Sequence, residues 1–180
     1  MIGGTGFLGR HVVDAALAAG HDVTMANRGK TNPDLYPDVE RLVIDRDRDI
    51  NALGAGQWDA VIDTCGYVAA HTRSVAEALR DRVGHYTFVS SVSVYADVST
   101  PGVDVDGVLA TTEDPDAAQV TNENYGALKV VCEDIVRDIY GDRACIVRPG
   151  LIVGPHDPSD RFPYWPRRFD LGGGAIVPAW

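Results

Sequence analysis

The chain has 180 residues, of which 45% are apolar and 23% are charged, as expected for one globular domain with a substantial core. Its 26 acidic residues outnumber its 16 basic residues, and the resulting formal charge of −10 disfavours binding to nucleic acid or to anionic lipid. The three cysteines form no CxxC pair, and no apolar run reaches the ~20 residues that cross a bilayer. We therefore expect a cytoplasmic protein with reduced thiols, no membrane partner and no nucleic-acid partner.

Segments typical of strands alternate with segments of helical period along the chain. The predicted helices lie at about 7–19, 71–83 and 122–140, and the predicted strands are HDVTMAN, RLVID, WDAVIDTC, HYTFVSSVSVY and ACIVRPGLIV. Gly20 and Gly141 stand where two of the helices should end. Repetition of strand, helix and strand predicts an α/β fold with a parallel sheet.

The first of these helices is preceded by a glycine-rich stretch, GGTGFLG. Glycines three residues apart before a helix are typical of a phosphate-binding loop, where backbone N–H groups and the helix N-terminus face a pyrophosphate. A plain tight turn is the alternative, but the strand HDVTMAN follows at the distance expected in a dinucleotide-binding fold. The predicted cofactor contacts in this stretch are Gly3, Thr5, Gly6, Phe7, Leu8 and Gly9.

The position after the second strand usually meets the adenosine ribose, where a carboxylate favours NAD. This chain has Asn27 and Arg28 there, and a guanidinium suits the 2′-phosphate of NADP. We therefore predict NADP in preference to NAD, with a solvated turn residue as the alternative for Arg28. Asp45, at the end of RLVID, is predicted either to accept a hydrogen bond from adenine or to be a turn aspartate.

A buried strand of about five residues normally leads into such a glycine loop, but only Met1 and Ile2 precede Gly3. At the other end, GGGAIVPAW stops where a further strand should begin. Both ends look truncated, so we expect a parallel sheet whose first strand is largely missing.

Tyr125 and Lys129 are four residues apart in a predicted helix and therefore share one face. A nearby ammonium favours the phenolate form, so the tyrosine can act as a general acid or base. An ordinary surface pair is the alternative. Ser91, at the end of a predicted buried strand, can hydrogen-bond the reacting oxygen, although serines there are also common as turn caps.

Between Tyr95 and Tyr125 lies a stretch with seven acids and no bases. Its prolines and glycines predict a long solvated loop, with a lid or binding loop as the alternative. No metal site is predicted.

The motifs GGTGFLG, SSVSVY, YGALK and VRPGLIVGP occur in the order found in extended and atypical short-chain dehydrogenase/reductases, of the NAD-dependent epimerase/dehydratase type. The resemblance covers essentially the whole chain and implies a doubly wound Rossmann fold in residues 1–180, with the start of a substrate-binding part at about 154–180 and most of that C-terminal domain missing. It matches Ser91, Tyr125 and Lys129 to the catalytic serine, tyrosine and lysine. Further predicted cofactor contacts are Thr64, Cys65, Gly66, Lys129, Pro149, Gly150 and Leu151.

The resemblance implies an NAD(P)-dependent oxidoreductase or epimerase acting on a hydroxyl or carbonyl centre, with a small-molecule substrate such as a nucleotide sugar. A homodimer of the full-length protein is left open. Val92 and Ser93 replace the Asp-Glu pair of the family's dehydratases, so 4,6-dehydration is not expected. The alternative function is a non-catalytic nucleotide sensor or an RNA-associated protein of the atypical subgroup. The basic residues that could meet a substrate diphosphate, or be solvated, are Arg148, Arg161, Arg167 and Arg168.

Overall fold

The computed structural model describes residues 1–99, 101–159 and 161–174. The chain divides into two compact units, Met1–Gly150 and Leu151–Trp180. The division falls close to residue 154, where the substrate-binding part was expected to begin. That role for the second unit stays a prediction.

The first unit is an α/β structure with parallel strand pairing. β1 pairs with β2, and β4 lies between β3 and β5, in every case in parallel. The strands are β1 (Thr24–Asn27), β2 (Glu40–Val43), β3 (Trp58–Asp63), β4 (Val83–Val89) and β5 (Ala144–Val147). The helices of this unit are α1 (Phe7–Ala18), α2 (Ala69–Leu79) and α3 (Tyr125–Tyr140), and the second unit contains α4 (Tyr164–Asp170). The predicted parallel α/β fold is confirmed.

Ile2 fills the gap between β1 and β3. It forms isolated parallel bridges with Ala26 and Asp63, and it is 3% exposed. Its N–H donates to the carbonyl oxygen of Ile62 at 2.9 Å, and the next N–H, of Gly3, donates to that of Ala26 at 2.8 Å. A single bridged residue thus marks the place where the sequence predicted a reduced first strand.

Helices lie on both faces of the sheet. On β1, Met25 lies against Gly4, which also adjoins Val13 of α1. The next residue, Ala26, points to the opposite face because side chains alternate along a strand. There it joins the main core with residues of α2 and α3. The fold is therefore doubly wound, as predicted.

The core under α2 and α3 is built from buried side chains of β3, β4 and both helices, including Val61, Val75, Tyr86, Phe88 and Val136. On the other face of these strands, Ala60 and His85 are exposed. Parallel sheets are usually covered on both faces. In the part of the chain that the structure describes, only the α2/α3 face of these strands is covered.

The glycines predicted at two helix ends and the predicted long acidic loop also match the structure. Gly20 follows α1 with φ +80°, and Gly141 follows α3 with φ +53°, values that favour glycine. The described residues of 96–124 contain no helix or strand and are tied down by a bridge between Tyr95 and Leu109. Among the described helices, none combines the length and the apolar character that crossing a membrane requires.

Candidate active site

The glycine loop has a backbone that other residues could not adopt without strain. Gly3 and Gly4 have φ of +99° and +98°. A Cβ on Gly3 would lie 2.8 Å from Cys65 Sγ, and one on Gly4 would lie 2.9 Å from Met25 Sδ. A Cβ on Gly9 would lie 2.8 Å from the backbone nitrogen of Gly4. In such motifs the third glycine generally lets the helix pack closely against a strand. Here Gly9 instead lets α1 pack closely against the glycine loop itself.

Gly6 leaves room for a ligand at the N-terminus of α1. It is exposed, a Cβ there would have nothing within 4 Å, and no side chain caps the helix. The first turn contains no acidic residue, and no described acceptor of the chain takes the N–H groups of Phe7 and Leu8. These free donors at the positive end of a helix dipole fit the pyrophosphate of a dinucleotide.

Two asparagines brace the loop. Asn27 Nδ2 donates to the Gly3 carbonyl oxygen at 2.8 Å, and its Oδ1 accepts from the Gly29 N–H at 2.8 Å. Asn32 Nδ2 donates to the Thr5 carbonyl oxygen at 2.9 Å. Both polar ends of Asn27 are thus used within the protein, whereas it was predicted to contact cofactor. Asn32 was missed, and its signal was an asparagine in a turn, where positive φ is tolerated.

Arg28 and Asp45 follow neighbouring strands but differ in their surroundings. Arg28 is exposed, and its guanidinium has no partner among the described residues. Asp45 Oδ1 accepts from the N–H of Asp47 at 3.2 Å, and its carbonyl oxygen accepts from Arg48 and Asp49 N–H groups. The structure thus supports the turn alternative for Asp45, while Arg28 remains available to a ligand.

The residues after β3 meet both the glycine loop and α3. Thr64 Oγ1 and Cys65 Sγ donate to the Ile2 carbonyl oxygen at 3.2 and 3.4 Å, and burial raises the pKa of the Cys65 thiol. The Gly66 carbonyl oxygen accepts from Lys129 Nζ at 2.8 Å. The structure therefore brings three groups of predicted cofactor contacts together at the carboxyl edge of the sheet.

A buried carboxylate that sequence reasoning missed supports this edge. Asp63 is 0% exposed, accepts from Arg46 Nη2 at 2.7 Å and from the Tyr86 hydroxyl at 3.0 Å, and also accepts the Cys65 N–H at 2.9 Å. Its only sequence signal was an aspartate within a strand of otherwise apolar pattern.

Lys129 is held in one place by backbone carbonyls. Besides Gly66, its Nζ donates to the Val89 carbonyl oxygen at 2.7 Å, and the side chain is 2% exposed. Burial lowers the pKa of Lys129 to about 8, against weaker contributions from Cys132, Asp63, Glu133 and Cys65 that raise it. The lysine is therefore preorganised and still largely charged at neutral pH.

Tyr125 opens α3 beside the turn that contains Ser91. A Cβ on Gly126 would overlap the Ser93 carbonyl oxygen, so only glycine lets α3 approach this turn so closely. Ser91 Oγ accepts from the Ser93 N–H and donates to Ser93 Oγ, both at 3.1 Å, so it caps its own turn. The Tyr125 hydroxyl has no hydrogen-bond partner among the described residues and is free to meet a substrate.

Beneath these residues lies a buried ion network. Glu133 is 0% exposed and accepts from Arg148 Nη2 at 2.7 Å and Nε at 3.0 Å, and from Arg137 Nη2 at 3.0 Å. Arg148 Nη1 also donates to the Tyr95 hydroxyl at 3.1 Å. Arg148 is thus paired within the fold, which disfavours its suggested role at a substrate diphosphate.

The turn after Arg148 contains the remaining predicted contacts. The Pro149 carbonyl oxygen accepts from the Val92 N–H at 3.0 Å, which joins this turn to the one that holds Ser91. Gly150 is exposed, and Leu151, which begins the second unit, is 78% exposed. Their cofactor roles stay predictions. In the described ranges no group of three His, Cys, Asp or Glu residues could hold a metal ion.

The sequence matches the model of the NAD dependent epimerase/dehydratase family over residues 1–178. The chain belongs to this family. The resemblance found from the motifs is therefore confirmed. Among curated proteins, none matches the sequence.

Solved structures of this family share the fold. The structure is similar to a UDP-galactose 4-epimerase with a TM-score of 0.67 and 23% identity, covering 93% of this chain and 61% of that one. It is also similar to the Bordetella bronchiseptica enzyme WbmG in complex with NAD and UDP, with a TM-score of 0.70, 18% identity and coverage of 97% and 60%. A third is the UDP-glucuronic acid 4-epimerase from Bacillus cereus in complex with NAD. Its TM-score is 0.65 and its identity 17%, and the match covers 88% of this chain and 58% of that one. This chain spans about three fifths of the length of these relatives.

Proposed function

We propose that the protein is an NAD(P)-dependent oxidoreductase or epimerase that acts on a hydroxyl or carbonyl centre of a nucleotide sugar. The observation that carries this proposal is a buried lysine, Lys129, fixed by two carbonyl oxygens one helical turn from the unpaired hydroxyl of Tyr125. The substrate class rests on the relatives, whose names refer to UDP-sugars or to bound UDP.

The first turn of α1 would hold the pyrophosphate of the cofactor, because its N–H groups are free and Gly6 leaves space. When bound, the nicotinamide supplies the hydride acceptor or donor. Arg28 favours NADP over NAD, since an exposed guanidinium without a partner can pair with a 2′-phosphate. The coarser assignment to a nicotinamide dinucleotide depends on the loop and does not depend on Arg28.

In this proposal Tyr125 takes the proton of the substrate hydroxyl during oxidation and returns a proton to the carbonyl oxygen during reduction. The ammonium of Lys129 favours the phenolate that this step needs. Ser91 donates a hydrogen bond to the reacting oxygen after its hydroxyl turns away from Ser93. Val92 and Ser93 offer no carboxylate, so we do not propose 4,6-dehydration.

Replacing Tyr125 with phenylalanine tests the function. We expect Tyr125→Phe to lower turnover of UDP-sugars by about 10²–10⁴-fold, because general acid or base catalysis contributes that much, and to leave dinucleotide affinity unchanged. Turnover is measured as interconversion of sugars by NMR and as reduced nicotinamide by absorbance, and affinity by calorimetry.

Tyr140→Phe is the matched control, because it removes a phenol from the other end of the same helix, where the hydroxyl donates to the Ala76 carbonyl oxygen at 2.9 Å. It should keep the parental turnover. A Tyr125→Phe protein with more than half of the parental turnover would refute the catalytic assignment. If the parent and Tyr140→Phe both bind dinucleotide but turn over no sugar, the result would favour a non-catalytic sensor.

A further inference from the structure

The ammonium of Lys129 lies near two aromatic rings. Its Nζ is 4.2 Å from the centroid of the Phe88 ring and 5.4 Å from that of the Tyr67 ring. Phe88 is 0% exposed and belongs to the core, whereas Tyr67 is 46% exposed. Lys129 itself is 2% exposed, so of the two rings near the ammonium only that of Tyr67 reaches solvent.

The chain presents this ring from a short, anchored segment. On one side of Tyr67, the Gly66 carbonyl oxygen accepts from Lys129, and a Cβ on Gly66 would lie 2.5 Å from the Phe88 ring. On the other side, Val68 is buried and precedes α2. The Tyr67 hydroxyl has no hydrogen-bond partner among the described residues, so its ring makes the contact with the ammonium.

We propose that Tyr67 is a positioning residue that shields the ammonium of Lys129 from water and so controls how much of the lysine is charged. It acts through Lys129 and not on the reacting atoms. For its effect on turnover, the proposal rests on the function proposed above, in which the charge of Lys129 favours the phenolate of Tyr125. Its effect on the ionisation of Lys129 needs no catalytic activity.

Two effects of the ring oppose each other. Attraction between the ring and the ammonium favours the charged form, but 5.4 Å is near the outer limit of about 6 Å for this interaction. Exclusion of water favours the neutral form, and burial is the largest influence on the pKa of Lys129. The titratable groups that act on the ammonium are Asp63 from β3, Cys65 from the loop, and Cys132 and Glu133 from α3, and all of them remain in the sequence when the ring is removed. We therefore expect shielding by the ring to outweigh its attraction for the ammonium.

The sequence allows a direct measurement, because the 180 residues include two lysines, Lys30 and Lys129. In protein with ¹³C-labelled lysine, NMR gives one titration curve for each, and Lys129→Arg assigns them. Lys30 is exposed and serves as the internal control. We expect the Lys129 midpoint to lie near pH 8 in the parent and in Tyr67→Phe, and about one unit higher in Tyr67→Ala. Tyr67→Leu retains apolar bulk and should shift less than Tyr67→Ala.

An unchanged midpoint in Tyr67→Ala would overturn the proposal, as would a shift in Tyr67→Phe equal to that in Tyr67→Ala. If Tyr67→Ala fails to give a cooperative thermal transition, the Lys129 midpoints of Tyr67→Leu and Tyr67→Phe are compared instead. A higher midpoint in Tyr67→Leu would support the proposal, and equal midpoints would overturn it. A shifted midpoint with no change in the pH dependence of turnover would leave the shielding intact and count against the role of Lys129 in catalysis. The failures of the two proposals are therefore distinguishable.

Discussion

The two edges of the sheet use their polar groups differently. At the amino edge lies a cavity of about 530 Å³ whose lining includes Trp58, Arg80, Arg82, Val83 and Arg143. Two of its arginines are paired with the backbone: Arg143 Nη1 donates to the Arg80 and Val83 carbonyl oxygens at 3.2 and 2.8 Å, and Arg82 Nη1 donates to that of Gly56 at 3.3 Å. The Arg80 side chain is exposed. At the carboxyl edge, the Arg28 guanidinium and the Tyr125 hydroxyl have no partner among the described residues.

This difference follows from the direction of the helices. In a parallel α/β fold the helices run opposite to the strands, so α2 and α3 end at the amino edge, where free carbonyl oxygens attract cations. At the carboxyl edge α1 begins, and its free N–H groups attract anions. The paired arginines at the amino edge therefore stabilise the fold, whereas the unpaired groups at the carboxyl edge are the candidates for ligand contacts.

The largest expected effect comes from a carboxyl-edge residue that has all its partners. Glu133→Gln should lower the free energy of unfolding by about 3–5 kcal/mol, because it leaves Arg148 buried without its counter-charge. Asp134→Asn is the matched control, since Asp134 is 60% exposed and pairs with the same Arg137 at 3.3 Å, and it should cost less than about 1 kcal/mol. Urea denaturation of both variants measures the difference. Equal losses would break the comparison.

Because of the Glu133 carboxylate, we expect the stability of the protein to depend on pH in the acid range. Burial raises the pKa of Glu133, but the hydrogen bonds from Arg148 and the charges of Arg148 and Arg137 outweigh burial and lower it below its usual value of 4.5. Its contribution to stability is therefore complete above pH 4.5 and is lost as the pH falls through the lower value of the folded state. Glu133→Gln should be less sensitive than the parent to acid in this window, as followed by denaturation at a series of pH values.

Substitutions at Gly9 and Gly6 of the glycine loop should have separate effects, one on the stability of the protein and the other on dinucleotide binding. Gly9→Ala should destabilise the protein by about 1–3 kcal/mol, because the new methyl would press on the backbone of Gly4. Gly6→Ala has open space and a φ of −87°, so stability should change little, but the methyl would occupy space predicted for the pyrophosphate and weaken dinucleotide binding. Thermal melting and calorimetry distinguish the two. Loss of stability in Gly6→Ala without weaker binding would refute the predicted phosphate loop.

The smallest effects are expected from replacing one arginine at each edge, Arg143 at the amino edge and Arg28 at the carboxyl edge. Arg143→Met removes hydrogen bonds to two backbone carbonyl oxygens and should cost about 1–2 kcal/mol of stability without affecting dinucleotide binding. Arg28→Ala should leave stability unchanged and reduce the preference for NADP over NAD by about tenfold. The ratio of the two dissociation constants is the measurement. An unchanged ratio in Arg28→Ala would show that the 2′-phosphate argument is wrong.

Local patterns were enough to predict three helices and the places of the five strands. The predicted strands HYTFVSSVSVY and ACIVRPGLIV were too long, because β4 ends at Val89 and β5 at Val147, and α4 was missed. Helical period and turn residues act over a few residues, so the three predicted helices and the parallel α/β class agree with the structure. The bracing role of Asn27 was not predicted, because the sequence could not show that both ends of its side chain meet the glycine loop and Gly29. Its contact with cofactor stays a prediction. The pairing of Arg148 was missed because its partner, Glu133, is 15 residues away in the sequence.

The sequence by itself determined the phosphate-loop motif, the spacing of Tyr125 and Lys129 on one helix and the family, because each depends on residue types at short separations. Only the tertiary structure decided how Lys129 is held, since Gly66 and Val89 lie 63 and 40 residues from it. The same is true of Tyr67, whose place over the ammonium depends on how the loop after β3 packs against α3. Burial and the partners of a polar group arise from contacts between distant segments, and a local pattern does not contain them.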